Sequence, residues 1–224
     1  MSLLRAPLTL LSSFNIGVCL TPPNPPISDE ERKGYAPATS EAAFYLGGLC
    51  DTATLLAAHF PAHPLSQRTL SLLSPHTATP SLSPTPAFLL GTLLTALGTY
   101  IRYTCYRALG TLFTYELSIR KDHALITTGP YAYVRHPSYT AALVAYAGAH
   151  VSLLGPGSWL RECGWLETRA GRAGLWALGA NALFLVAFIA KRVATEDRTL
   201  RAQFGEEWDR WAARVPYRII PYVF

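Results

Sequence analysis

The sequence predicts an all-α, polytopic integral membrane protein of about four to five transmembrane helices with a C-terminal amphipathic helix. Three observations carry that prediction: long charge-free stretches, basic residues gathered at their ends, and a tail whose large apolar residues recur at helical spacing. Composition agrees. Of 224 residues, 50% are hydrophobic and 15% charged, against the ~25% charge usual in soluble domains. Such a chain buries far too much apolar surface to be disordered. Cys19, Cys50, Cys105 and Cys163 lie far apart with no C-x-x-C pair, which argues against a zinc site, a disulfide framework or dithiol redox chemistry.

A membrane-crossing helix needs roughly 17–25 mostly apolar residues. Pro137 to Leu160 contains no Asp, Glu, Lys or Arg, and Tyr139 to Leu154 within it reads as helix until Gly155-Pro156-Gly157 ends it. Ala173 to Ala190 is equally free of charge and closes on Lys191-Arg192. Thr69 to Ile101 is uncharged but interrupted by prolines through Pro86, so its helix begins near Ala87, with Arg102 expected to snorkel at the far end. Ala6 to Thr21 and Ala42 to Phe60 are two further candidates, the first resembling a signal peptide but read as a retained helix, the second carrying Asp51 at its middle.

Between them, Pro61 to Pro86 is rich in Pro, Ser and Thr and reads as a loop with little packed structure. The chain thus divides into residues 1–86, N-terminal membrane segments plus this loop, and residues 87–224, a membrane-embedded core with a cytoplasmic tail. In the tail Leu200, Phe204, Trp208 and Trp211 share one helix face. That helix would lie along the membrane or on the hairpin formed by the last two spans, with Trp208, Trp211, Tyr217 and Tyr222 at headgroup level.

The net charge is +5, from 19 Lys and Arg against 14 Asp and Glu. The basic residues concentrate in Arg102 to Pro137 and from Lys191 onward, with fewer between the last two spans. If those spans form a hairpin, the two basic regions share one side, and the positive-inside bias makes it cytoplasmic. The charge is then topological, and no stacking platform accompanies it, so nucleic acid is not an expected partner.

Two polar clusters border the hairpin and would meet on that side. The first runs from His123 through Gly129-Pro130-Tyr131 to Arg135-His136-Pro137-Ser138-Tyr139. Pro137 biases His136 toward extended backbone and suits the first turn of the following helix. Free N–H groups of Ser138 and Tyr139 at that helix start would favour an anionic ligand group, with His136 and Tyr131 adding hydrogen bonds or packing. The second cluster, Lys191-Arg192-Val-Ala-Thr-Glu196-Asp197, puts Arg192 and Glu196 on one helix face. Taken separately, the first could be an interfacial loop and the second a surface ion pair. Their convergence is what suggests a site.

The combination His123-x-Leu-x-x-x-Gly-Pro-Tyr131, Arg135-His-Pro-Ser-Tyr139, Glu196-Asp-x-x-Leu200-x-x-x-Phe204-Gly-Glu-Glu-Trp208 and Val215-Pro216 resembles the isoprenylcysteine carboxyl methyltransferase family over Glu116 to Phe224. Ala141 departs from it, standing where a Gly is common. The resemblance implies a multi-pass endoplasmic reticulum protein, its active site facing the cytoplasm, that methylates the C-terminal carboxylate of prenylated cysteine in CaaX-processed proteins with S-adenosylmethionine. It implies cofactor contacts from Glu116, His123, Leu125, Ile126, Tyr131, His136, Ser138, Tyr139 and Glu196, with Arg192 as the catalytic contact to the substrate carboxylate. No metal is implied.

This chemistry suits the residues. Transfer from a sulfonium is an in-line displacement that rewards positioning. A terminal carboxylate, with a reference pKa of ~3.3–3.7, is already ionised and needs no general base, so an Arg that grips it suffices in principle. No G-x-G-x-x-G follows a strand signal, so a soluble dinucleotide-type fold is not supported. Three alternatives remain open: a phospholipid N-methyltransferase, whose amine acceptor would require a base such as Glu196 or Glu116; an NADPH-dependent sterol reductase-like protein, suggested by the Val215 to Phe224 ending; and a non-catalytic membrane scaffold.

Overall fold

The computed structural model describes residues 3–25, 32–34, 41–77, 80–114, 117–118 and 124–223. Helices dominate: α1 (Arg5–Leu20), α2 (Glu41–His59), α3 (Pro64–Leu73), α4 (Pro86–Leu109), α5 (Pro137–Leu154), α6 (Trp159–Glu162), α7 (Arg169–Phe204) and α8 (Glu206–Arg214). Short 3-10 turns lie at Gly110–Leu112, Gly129–Ala132 and Trp165–Glu167. One small antiparallel pairing joins β1 (Arg32–Gly34) to β2 (Leu117–Ser118), a minor departure from the all-helical expectation. Among the described residues one helix, α7, is long and apolar enough to cross a membrane by length and composition, and only 6% of its most apolar stretch is buried.

The residues group into two compact units to which α1, α4, α5 and α7 each contribute. The first unit comprises residues 1–18, 40–97 and 144–182. Its α4 and α5 pass with backbones nearly touching, since a Cβ on Gly148 would stand 2.6 Å from the Gly91 carbonyl oxygen. Only glycine permits that approach. Gly157, at φ +80°, ends the α5 region where the sequence places its stop.

A buried ion pair organises this unit. Arg5 Nη2 lies 2.9 Å from Asp51 Oδ1, with side chains 1% and 6% exposed. Arg5 Nε adds a 3.0 Å bond to Oδ2, which also accepts from the Thr9 hydroxyl at 3.0 Å. The Trp159 peptide N–H donates to Oδ1 at 3.1 Å. Every lone-pair direction of the carboxylate is thereby used, which is the condition under which a buried acid is tolerated. The Arg5 guanidinium also lies 4.0 Å from the centre of the Phe88 ring.

The stretch from Pro61 to Pro86 is more ordered than its composition suggests. It contains α3, started by Pro64 and capped by His63, whose Nδ1 accepts from the Leu65 N–H at 3.2 Å. The indoles of Trp159 and Trp165 both donate to the Leu73 carbonyl at 2.8 Å, fixing the helix end. Local capping and two tertiary bonds outweigh the Pro/Ser/Thr bias.

The second unit comprises residues 19–39, 98–143 and 183–224. Arg102 does not snorkel, because α4 runs on to Leu109 and buries it. Its Nε donates to the Cys19 carbonyl at 2.6 Å and the Tyr106 hydroxyl at 2.7 Å, and its Nη1 to Ser138 O and Oγ at 2.8 Å each. The tail helix predicted through Leu200, Phe204, Trp208 and Trp211 is broken at Gly205, whose φ of +54° ends α7 and lets α8 begin. Arg201 Nε and Asp209 Oδ1 meet at 2.9 Å around the break.

Removing either Arg5 or Asp51 leaves an uncompensated buried charge. Arg5→Ala or Asp51→Ala is expected to lower stability by about 3–5 kcal/mol, read from denaturant unfolding in detergent. The Arg5→Met/Asp51→Leu double variant should recover much of that loss.

Candidate active site

The site is built on the C-terminal part of α7, past the last charge-free residue Ala190. Ile189 and Val193 on that helix pack with Ile219 and seat it against Tyr139 and Leu143 of α5. This register carries Arg192 and Asp197 into the buried face with Ile189 and Val193, and leaves Glu196 beside them partly exposed. Against them runs the extended Val134 to His136 segment, kept from helix by Pro137. Its peptide groups find partners in the tail: Arg135 N–H donates to Tyr217 O at 2.9 Å, and His136 N–H to Arg218 O at 2.8 Å. The two polar clusters read from the sequence do converge.

Glu196 is the junction. Tyr139 donates its hydroxyl to Glu196 Oε2 at 2.8 Å, while Arg192 Nε lies 3.9 Å from Oε2 and His136 Nδ1 3.9 Å from Oε1. The Arg192 side chain is 8% exposed and that of Glu196 29%. The His136 and Tyr139 rings lie 5.9 Å apart at a 32° tilt.

Tyr131 sits on the adjoining apolar wall, buried with Cys105, Trp211 and Val215, and Leu125 and Ile126 pack against that cluster. The Trp211 indole donates to the Tyr131 carbonyl at 3.3 Å. Burial, reinforced by Cys105, Glu196 and Tyr139, pushes the Tyr131 hydroxyl well above its ordinary pKa. It is therefore a neutral donor at physiological pH.

One sequence expectation changes: the Tyr139 N–H donates to the His136 carbonyl at 3.1 Å, so it is not a free anion-binding group. Ser138 receives Arg102 on its carbonyl and hydroxyl. Glu116 and His123 lie outside the described residues.

Asp197 was not among the expected site residues, yet three basic side chains converge on it. His136 Nε2 is 2.9 Å from Oδ1, and Arg135 Nη2 and Arg218 Nε are each 3.2 Å from Oδ2. Arg135 also donates through Nη1 to the carbonyls of Val215 and Pro216 at 3.0 Å, and its guanidinium lies 5.6 Å from the Trp208 ring centre. No local sequence signal marks Asp197, because its partners Arg135, His136 and Arg218 are distant from it in sequence.

The second unit thus joins a helix long and apolar enough to cross a membrane to a largely buried ionic cluster, in which Arg192, Glu196, Tyr139 and His136 lie beside an aromatic wall. The comparisons show what the chain resembles. The model of the isoprenylcysteine carboxyl methyltransferase (ICMT) family matches residues 90–158. Protein-S-isoprenylcysteine O-methyltransferase B of Arabidopsis thaliana is 30% identical over 135 residues, 59% of this chain and 58% of that protein. The protein-S-isoprenylcysteine O-methyltransferase of Schizosaccharomyces pombe is 30% identical over 122 residues, 54% of this chain and 44% of that one. A Delta(14)-sterol reductase of Mus musculus is 27% identical over 100 residues, 45% of this chain and 20% of the reductase. The chain spans about half the length of the curated methyltransferases it matches.

The Asp197 cluster sets a pH dependence. Burial opposes the charge of Asp197, but the hydrogen bond and charge of His136 and the charge of Arg135 outweigh it and hold the carboxyl below its ordinary value. The stability this adds is complete above the unfolded carboxylate pKa of ~3.9 and is lost as pH falls through the lower folded value. Melting of wild type and Asp197→Asn in detergent across an acid series should therefore show a gap that is wide near neutrality and closes below the ordinary carboxylate range.

Proposed function

We propose that the chain is an S-adenosylmethionine-dependent methyltransferase that esterifies the C-terminal carboxylate of prenylated cysteine in CaaX-processed proteins. It would act as a multi-pass protein of about four to five spans in the endoplasmic reticulum membrane, its site facing the cytoplasm. The observation that carries this reading is the buried Arg192 one helical turn before Glu196, beside Tyr139, His136 and the Tyr131 wall. An anion-gripping group and a cation-accepting group thus stand next to each other, as a carboxylate nucleophile and a cationic methyl donor require.

The donor set fits that cofactor. Glu196, Tyr139, His136 and Tyr131 offer acceptors and aromatic surface to a molecule bearing sulfonium, ammonium and ribose hydroxyls. Leu125 and Ile126 extend the apolar part of that wall, and Glu116, His123 and Ser138 complete the proposed set. When bound, S-adenosylmethionine supplies an electrophilic methyl group on a sulfonium. Arg192 grips the substrate carboxylate, orients one oxygen for in-line attack and offsets its desolvation. No residue need accept a proton, because the nucleophile is already ionised. An amine acceptor would make a different demand, namely a base with a free lone pair.

The test uses membranes expressing the chain, given methyl-labelled S-adenosylmethionine with either a farnesylated cysteine analogue or phosphatidylethanolamine. Base-labile label on the prenylcysteine is expected. Arg192→Ala should cut it by roughly 100-fold or more, as loss of a single group that stabilises reacting charge does. Label on the lipid alone, or undiminished ester formation by Arg192→Ala, would contradict the proposal.

A further inference from the structure

His136 has two ring nitrogens in different surroundings. On one side Nε2 lies 2.9 Å from Asp197 Oδ1. Asp197 is 5% exposed, and its other oxygen is held by Arg135 and Arg218 at 3.2 Å each. Two guanidinium groups on Oδ2 favour the ionised carboxylate, which can only accept hydrogen bonds. The Nε2 contact is therefore an N–H···O bond donated by the imidazole. On the other side Nδ1 lies 3.9 Å from Glu196 Oε1, beyond hydrogen-bond length. The two atoms do not satisfy each other, and the Glu196 carboxylate is the exposed member of the group.

In a neutral imidazole with its proton on Nε2, Nδ1 is a lone-pair acceptor. Two acceptors 3.9 Å apart can both be reached by one N–H-bearing group at ordinary bond lengths of ~2.9 Å. The remaining neighbours suit that arrangement: Tyr139 donates to Glu196 Oε2, and Arg192 lies toward the same oxygen, leaving Oε1 and Nδ1 facing each other across the gap.

We infer that Asp197 is a positioning residue that keeps the His136 proton on Nε2, so that Nδ1 and Glu196 Oε1 together form a paired acceptor for an ammonium or amino group of the bound cofactor. The cofactor's identity rests on the function proposed above, whereas the position of the proton does not. Asp197→Asn tests both, because an amide is nearly isosteric but can also donate, and so releases the constraint on the tautomer.

The experiment uses the full chain in detergent at mildly alkaline pH. Imidazole 15N NMR of the ligand-free protein, with the His136 signal assigned by its loss in His136→Ala, should show Nε2 protonated and Nδ1 bare. In Asp197→Asn a fraction of the proton should move to Nδ1. Calorimetry with S-adenosylhomocysteine should show Asp197→Asn binding roughly 10- to 100-fold more weakly, the scale of losing one hydrogen bond to a charged group or its orienting partner. Asp197→Asn/His136→Ala should bind no more weakly than His136→Ala alone, since Asp197 acts through His136. A protonated Nδ1 in the wild type, additive losses in the double variant, or unchanged affinity in a folded Asp197→Asn would each overturn the inference. Failure of the wild type to bind S-adenosylhomocysteine would instead count against the proposed function, while the NMR result still decides the role of Asp197.

Discussion

The Asp197 carboxylate must stay ionised in a place where water barely reaches it, and the second unit is arranged around that requirement. A buried charge is tolerated only when its hydrogen-bonding directions are filled. Here they are filled from two parts of the chain: Arg135 and His136 from the segment before α5, and Arg218 from the tail. Each partner is itself committed elsewhere. Arg135 reaches the carbonyls of Val215 and Pro216, and the peptide groups of Arg135 and His136 run along Tyr217 and Arg218. The Arg-His-Pro segment, the end of α7 and the tail are therefore one hydrogen-bonded object, and Glu196, next to Asp197 in sequence, inherits a fixed position within it.

The first unit uses the same physical device for a different end. Asp51 is buried and saturated by Arg5, Thr9 and the Trp159 peptide group, and nothing in that arrangement leaves a polar group open to a ligand. Glu196 differs: its side chain is 29% exposed, and Tyr139 donates to one of its oxygens. Both are charged groups beside apolar helices, and exposure and the count of filled lone pairs distinguish them.

How much was legible in the sequence follows from which forces act locally. α5 was readable because a run without charge, ended by Gly-Pro-Gly, states both the length and the limit of an apolar helix, whereas α7 was legible only in its apolar part and continues past Lys191-Arg192 to Phe204. Arg102 was misjudged because snorkelling is a rule for a helix end, whereas α4 continues past it and Cys19, Tyr106 and Ser138 supply acceptors that no local pattern announces. α3 was hidden by its Ser/Thr/Pro composition, although Pro64 after His63 was a usable start signal. The break at Gly205 was present in the sequence but overruled by the apolar spacing of Leu200 to Trp211. Glu196 was readable from its four-residue spacing to Arg192. Asp197 was not, since its importance comes from Arg135, His136 and Arg218, which are distant in sequence.

In the function proposed above, the Glu196 carboxylate on α7 anchors a cationic methyl donor. The most direct measurement is the affinity of the purified chain for S-adenosylhomocysteine with and without the charge on Glu196, by calorimetry on wild type and Glu196→Gln. A loss of roughly 10- to 100-fold in Glu196→Gln, the scale of one charge-assisted hydrogen bond, with melting unchanged, is the predicted result. Equal affinity in the two proteins would contradict it and move the cofactor away from the Asp197 cluster.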